Sequence, residues 1–97
     1  MLFTVNKAPL GINNLDSVLR VAPTGAPILF YEDGVYAALP AAKSAQTVIQ
    51  AMGDHPIYAL DADLEARGIG QVLEGIQVIG FDGFVELVEQ HDVAPWI

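Results

Sequence analysis

Residues 28–39 read ILFYEDGVYAAL, and this segment predicts the joint of a parallel α/β sheet. Its first four residues form a short apolar run with β-branched and aromatic members, which is typical of a buried strand. Asp33 follows in a position to cap a helix, because its carboxylate can accept bonds from the free N–H groups of a first helical turn. Pro40 ends that helix early. Parallel sheets place ligands and partners at the carboxyl ends of their strands, so we expect Glu32 and Asp33 to lie at such an edge.

Strand-like and helix-like patterns alternate along the rest of the chain. Apolar runs predict further strands over residues 2–5, 57–60 and 76–79. Residues 93–97 form an apolar tail. The order of these patterns predicts a mostly parallel sheet with helices on both faces. Four strands are visible, and a fifth comes either from the tail or from a partner subunit.

Polar residues that precede the helical patterns are candidate helix caps. Besides Asp33, they are Asn13 or Asn14, Ser44, Asp61 or Asp63, and Asp82. Apolar residues spaced three and four apart predict the faces that pack on the sheet. For the first helix these residues are Leu15, Val18, Leu19 and Ala22. For the last helix they are Phe81, Phe84, Val85 and Val88, with Leu87 beside them.

The composition predicts one folded domain that associates with other subunits. A chain of 97 residues is long enough for one core, so we expect a single domain over residues 1–97. Hydrophobic residues make up 53% of the chain and charged residues only 16%, which excludes a disordered protein. A lone small domain cannot easily hide so many apolar side chains. The excess therefore favours an obligate oligomer.

The charge and the apolar runs exclude several classes of partner. The formal net charge is −8, and the strong cations are the scattered Lys7, Arg20, Lys43 and Arg67. Such a chain repels phosphate backbones, so we expect no direct binding of nucleic acid. No apolar run approaches the roughly 18 residues of a membrane span, and residues 1–20 do not read as a signal peptide. We expect a cytoplasmic protein without membrane contact.

The sequence predicts no catalytic residue, cofactor or metal. It contains no cysteine, which excludes disulfides, thiolate metal sites and cysteine nucleophiles. His55 lies in a turn before Pro56 and His91 near a helix end, without metal-ligand spacing, so we predict surface or capping roles. Ser17 and Ser44 lie outside any nucleophile elbow. We therefore expect no intrinsic catalysis.

Several segments, taken together and in order, resemble the DsrH/TusB family of sulfur-relay subunits. They are MLFTVNKAP at the start, EDGVYAAL after the second strand, YALDADLEARG, FDGFVELVEQHD and a tryptophan near the end. The resemblance implies a DsrEFH-like three-layer α/β/α sandwich with a mostly parallel sheet of four to five strands. It also implies a hetero-oligomer with DsrE/TusD-like and DsrF/TusC-like sister subunits. Such complexes pass persulfide sulfur toward 2-thiolation of the tRNA wobble uridine or toward sulfur oxidation.

One departure from that family changes the expected role. Several DsrH members carry a cysteine in the first helix, where this chain has Val18. Sulfur transfer requires a thiolate that attacks and holds the persulfide. TusB-like members also lack that cysteine. The resemblance therefore implies a non-catalytic subunit that supports persulfide transfer by structure or docking.

Six residues are candidates for docking the partner: Asn6, Lys7, Glu32, Asp33, Tyr36 and Trp96. Trp96 either folds back on the core or docks into another subunit, and the sequence leaves both readings open. Two further readings of the whole chain also stay open. One is a stand-alone homo-oligomer without sulfur-carrier activity, and the other is a small-molecule enzyme that uses the Glu32 and Asp33 end of the sheet.

Overall fold

The computed structural model describes residues 1–8 and 14–96, with backbone only for residues 14 and 96. In chain order the elements are β1 Leu2–Val5, α1 Asn14–Val21, β2 Ile28–Phe30, a 3₁₀ helix Glu32–Ala38, α2 Ala45–Ala51, β3 Ile57–Leu60, α3 Asp61–Ala66, β4 Gln77–Ile79, α4 Phe81–Gln90 and β5 Val93–Trp96. Within the described ranges, no helix has the length and apolarity needed to cross a membrane.

The described strands form one five-stranded sheet in the order β4-β3-β2-β1-β5. Every pairing is parallel, as the alternation of strand and helix patterns predicts. The fifth strand comes from the tail of this chain: Leu2 pairs with Val93, and Val5 pairs with Trp96. The predicted fourth strand is one residue shorter than expected, because Ile76 precedes β4 and its N–H bonds to the carbonyl of Leu73.

The strand order determines which helices cover which face. The steps from β1 to β2, β3 and β4 all move across the sheet in the same direction, so right-handed crossovers place α1, the 3₁₀ helix, α2 and α3 on one face. The step from β4 to β5 returns across the sheet and places α4 on the other face. Helices on both faces of a parallel sheet confirm the predicted α/β/α architecture.

The core follows the same division into two layers. On the first face, buried residues of the strands pack against the buried Val18, Val35, Val48 and Leu64 of the helices. On the second face, a smaller cluster of buried residues joins Leu2, Leu29 and Leu87, with Tyr58, Ile79 and Phe84 packed against it. Phe30, Leu2, Ile28, Leu29 and Ile57 are among the largest fully buried side chains. The central strands are therefore apolar on both faces, as expected for a parallel sheet.

The predicted side-chain caps are wrong for the helices that follow strands directly. The cap positions of the 3₁₀ helix, α3 and α4 are held by Tyr31, Leu60 and Gly80, all with extended backbone and no side-chain cap bond. Each helix begins immediately after its strand, so no acid stands before the first turn. Asp33, Asp61, Asp63 and Asp82 lie inside the first turns instead. There the negative charges interact favourably with the helix dipole, but the side chains do not cap the helix.

Two other predicted caps have different outcomes. Ser44 does occupy the cap position of α2, but its side chain makes no cap bond, and its buried Oγ has no hydrogen-bond partner. Asn13 lies outside the described residues, and α1 begins at Asn14.

The predicted inner face is confirmed for the first helix and wrong in part for the last. Leu15 and Val18 are buried, and Leu19 and Ala22 pack against the same cluster. In α4 the buried residue is Leu87, whereas Phe81 is 73% exposed and Val88 is 39% exposed. Phe81 is the first residue of a helix that starts beside an edge strand, so little of the sheet is available to cover it.

His55 is buried rather than exposed at the surface, so its predicted surface role is wrong. The residue is 7% exposed, and its Nδ1 lies 2.9 Å from the carbonyl oxygen of Ala26. The loop before β3 packs against the loop before β2, where the N–H of Gly25 also bonds to the carbonyl of Asp54 at 2.7 Å. His91 is the C-cap residue of α4, which agrees with its predicted capping role.

The 3₁₀ helix lies directly against the end of β1. The N–H of Tyr31 donates to the carbonyl oxygen of Val5 at 3.1 Å. A Cβ atom at Gly34 would overlap that oxygen and lie 2.8 Å from the Val5 carbonyl carbon. Both atoms belong to the backbone of a central strand and cannot move aside cheaply. Only glycine fits at this position.

We predict that Gly34→Ala lowers the free energy of unfolding by about 2 kcal/mol or more, because the added methyl group forces backbone apart. The midpoint of thermal unfolding should fall by about 10 °C for a chain of this size. Gly70→Ala is the matched control, since nothing lies within 4 Å of a Cβ at that position. Urea and thermal unfolding followed by circular dichroism measure both variants. Equal effects of the two substitutions would contradict the packing described for Gly34.

Candidate functional site

The carboxyl edge of the sheet gathers polar residues from neighbouring strands. Asn6 and Lys7 follow β1, and Glu32 opens the 3₁₀ helix after β2. Asp61 and Asp63 lie in the first turn of α3, which begins directly after β3. Because β1, β2 and β3 are adjacent and parallel, these segments leave the sheet side by side. The predicted position of Glu32 and Asp33 at this edge is confirmed.

Arg67, the residue that ends α3, connects the 3₁₀ helix to α3. Its Nε and Nη2 atoms donate to Oδ1 of Asp33 at 3.0 and 2.9 Å. Its Nη1 atom donates to the carbonyl oxygen of Asp63 at 3.0 Å and lies 3.8 Å from Oδ1 of the same residue. The planar guanidinium fork suits such multiple contacts, whereas a lysine has a single ammonium. We call Asp33, Asp63 and Arg67 the arginine clamp.

The clamp also holds the backbone of Glu32. Oδ2 of Asp63 accepts a hydrogen bond from the Glu32 N–H at 2.7 Å. Glu32 has a φ of +48°, a left-handed conformation that costs a residue with a side chain about 1–2 kcal/mol. Strained backbone of this kind persists where surrounding contacts enforce it, and it is common at functional sites. The side chain of Glu32 is exposed.

Charge and aromatic contacts add to the clamp. The hydrogen bond to Asp33 raises the pKa of the Arg67 guanidinium above its ordinary value, and the charges of Asp33 and Asp63 act in the same direction. A raised arginine pKa stabilises the folded state fully at any pH below the ordinary arginine pKa, and this stability is lost only when the pH rises through the raised pKa. The clamp therefore stays charged at neutral pH. Cζ of Arg67 also lies 6.0 Å from the ring centroid of Tyr36, within range of a cation–π contact.

The structure brings together three of the six candidate docking residues. Asp33 and Tyr36 both contact Arg67, and Glu32 is bonded through Asp63 to the same clamp. The Asp33 side chain remains 61% exposed and Tyr36 is 37% exposed, so both are accessible to a partner.

The other three candidates lie at the same edge but outside the clamp. Asn6 is half-buried beside Gly34, and its Oδ1 atom is buried without a hydrogen-bond partner. Lys7 is exposed. The backbone of Trp96 pairs with Val5 at the end of β5, and the two readings of its side chain stay predictions.

Sequence reasoning missed the roles of Arg67 and Asp63. The sequence indicates Arg67 only as a scattered cation within the segment YALDADLEARG, and Asp63 only as a candidate helix cap. The clamp joins that segment to EDGVYAAL, so two of the segments that carry the family resemblance contact each other. The sequence shows only that the two segments occur together, and their contact is visible only in the structure.

The residues at this edge carry carboxylates, a guanidinium, a phenol, the ammonium of Lys7 and the amide of Asn6, and the sequence holds no thiol. Across the described ranges no three histidine, aspartate or glutamate side chains are arranged to hold a metal ion. Exposed carboxylates on a rigid support can steer and pair with cationic groups of another protein.

Comparison with known sequences finds a family match and named relatives. The family model described as DsrH like protein matches residues 7–94. Protein TusB of Serratia proteamaculans is 38% identical over 92 residues, which are 94% of each chain. Protein TusB of Photorhabdus laumondii is 34% identical over an aligned length of 98 residues, and the alignment covers 99% of this chain and all of the relative.

Comparison with solved structures supports the fold. The structure of the ychN protein from E. coli matches with a TM-score of 0.82 at 18% identity, covering 98% of this chain and 97% of the other. The protein of unknown function MTH1491 from Methanobacterium thermoautotrophicum matches with a TM-score of 0.73 at 19% identity, covering 97% and 96%. At these identities the likeness concerns the fold alone.

We predict that Glu32→Gly raises the free energy of unfolding by about 0.5–1 kcal/mol, because glycine adopts a positive φ without a Cβ penalty. The matched control is Glu65→Gly in the last turn of α3, which should lower that free energy by up to about 1 kcal/mol through lost helix propensity. Urea unfolding measures both. Destabilisation by the two substitutions to the same extent would contradict strain at Glu32.

Proposed function

The chain belongs to the DsrH family, as its sequence segments predict, and on this premise we propose that it is a non-catalytic subunit of a cytoplasmic sulfur-relay complex. One observation carries the proposal: the family match spans residues 7–94, yet the sequence has no cysteine. The subunit then supports persulfide transfer between other proteins and carries no sulfur itself. The TusB-named relatives favour 2-thiolation of the tRNA wobble uridine over sulfur oxidation as the destination.

Persulfide chemistry favours a subunit that carries no sulfur itself. A thiolate must attack the donor persulfide and then hold the sulfur. The resemblance implies that Val18 stands where several family members carry a cysteine, and Val18 is fully buried in the core. A valine there contributes packing and no reactivity. The sulfur-carrying cysteines are therefore expected in DsrE/TusD-like and DsrF/TusC-like sister subunits.

The carboxyl edge supplies a surface on which such subunits dock. The arginine clamp fixes the backbone around Glu32 and leaves the carboxylates of Glu32 and Asp33 exposed. Asn6, Lys7, Tyr36 and Trp96 complete the proposed docking set. Opposite charge on a partner speeds association and fixes orientation, which suits a chain of net charge −8.

The alternative is self-association of this chain, and its exposed apolar side chains support that alternative. Val21 is 54% exposed, Ile49 44% and Phe81 73%. Val21 and Ile49 lie on helices of the first face and Phe81 on the helix of the second face, and either sister subunits or further copies of this chain would cover them. Light scattering of the isolated chain distinguishes self-association from assembly with sister subunits. A discrete and stable homo-oligomer would support self-association.

We predict that co-expression with DsrE/TusD-like and DsrF/TusC-like subunits yields a mixed complex, and that Glu32→Lys weakens its assembly about ten-fold, or by about 1.4 kcal/mol. Asp16→Lys, which reverses an exposed acid in the first turn of α1, is the matched control and should leave assembly unchanged. When the sister subunits are loaded with persulfide, mass spectrometry should find no sulfur added to this chain.

Two outcomes count against the proposal. The first is a sulfur-loaded form of this chain itself. The second is failure to co-purify with any sister subunit while the isolated chain forms a stable homo-oligomer.

A further inference from the structure

The two edges of the sheet differ in their ability to accept another strand. Of the described strands, β5 has β1 as its only neighbour and β4 has only β3. Strand β5 contains Pro95, which lacks an N–H group and hinders strand addition. Strand β4 reads QVI, without proline or charge, and its Gln77 and Val78 are exposed. At three residues β4 is short, which limits pairing, but its edge has neither the proline nor the charge that usually prevents another chain from adding there.

An apolar groove runs beside this edge. It has a volume of about 270 Å³ and lies between α3, the loop that follows α3, and β4. Its apolar lining is Leu64, Ile69, Val72 and Val78. Val78 is 50% exposed, although it lies in register with the buried Ala59 on the face that α3 covers. The groove thus lies on the face of the sheet that α3 covers, at the outer side of the edge strand β4.

The charge of the groove indicates what kind of chain can enter it. Asp61 and Glu65 also line it, four residues apart and so on the same side of α3. The lining residues include no lysine, arginine or histidine. A second copy of this chain, with a net charge of −8, would bring like charge to these carboxylates. A segment that carries lysine or arginine would instead pair with them.

We propose that the β4 edge and its groove bind an extended segment of another polypeptide, with an apolar residue flanked by lysine or arginine at alternate positions. The backbone of that segment adds a strand to β4, and hydrogen bonds along the edge supply affinity without sequence preference. Alternate side chains point to one face, so the apolar residue meets Val78 and the flanking cations reach Asp61 and Glu65. The proposal is independent of a role in sulfur relay.

Binding of a synthetic peptide to the isolated, isotope-labelled chain tests the proposal. The probe is acetyl-TKTVTKT-amide, in which valine and both lysines fall on one face of a strand. Titration followed by nuclear magnetic resonance should give saturable shifts at the amides of residues 77–79. The peptide acetyl-TETVTET-amide should bind at least about ten-fold more weakly, because it places like charge at the groove.

Variants of the chain locate the site. Val78→Lys fills the apolar lining with a charge and should weaken binding of the lysine peptide about ten-fold or more. Val21→Lys changes a valine of similar exposure at the end of α1, away from the groove, and should bind as the unaltered chain does. Glu65→Gln should weaken the lysine peptide and leave the response to a serine-substituted peptide, acetyl-TSTVTST-amide, unchanged.

Three results of the peptide titrations would overturn the proposal. They are no binding of the lysine peptide, equal binding of the lysine and glutamate peptides, and binding that Val78→Lys leaves intact. Concentration-dependent shifts at residues 77–79 without peptide would also overturn it, since they would assign the edge to a second copy of this chain. None of these results depends on assembly with sister subunits, so they are distinct from a failure of the sulfur-relay role.

Discussion

The contact between Gly34 and the last carbonyl of β1 is the constraint on which the carboxyl edge depends. The 3₁₀ helix lies on the end of a central strand, at a distance that leaves no room for a Cβ atom. The chain therefore turns sharply after β2, and the N–H of Tyr31 bonds to the same carbonyl oxygen of Val5. This turn brings Glu32 and Asp33 beside the start of α3. A helix set farther from β1 would separate those acids from their partners in α3.

The arginine clamp bonds the 3₁₀ helix to α3 where the two lie close together. Arg67 bonds both to Asp33 and to the backbone of Asp63, while Asp63 holds the N–H of Glu32 in a left-handed conformation. The exposed ion pair by itself adds little stability. Its effect is geometric, because it holds the Asp33 carboxylate and the backbone of Glu32 in one arrangement. Such an arrangement suits recognition of another protein and contains no nucleophile for sulfur chemistry.

The return of the chain from β4 to β5 leaves the sheet asymmetric. Of the described helices, α4 alone covers the second face, whereas α1, the 3₁₀ helix, α2 and α3 cover the first. The β5 edge contains a proline, and the β4 edge contains neither proline nor charge beside its acidic groove. The molecule thus presents two different edges, the carboxyl edge with the arginine clamp and the open side of β4.

The sequence by itself determined the alternation of strands and helices, the parallel sheet, the inner face of α1 and the absence of a thiol, because each depends on local periodicity or on composition. Tertiary structure decided which polar groups meet. Asp33 pairs with Arg67, which is 34 residues away, although local sequence favours a cap. Likewise, Phe81 is exposed and His55 is buried because of the strand edge and the loop that happen to lie beside them. Those neighbours come from distant parts of the chain, and only the order of strands in the sheet brings them together.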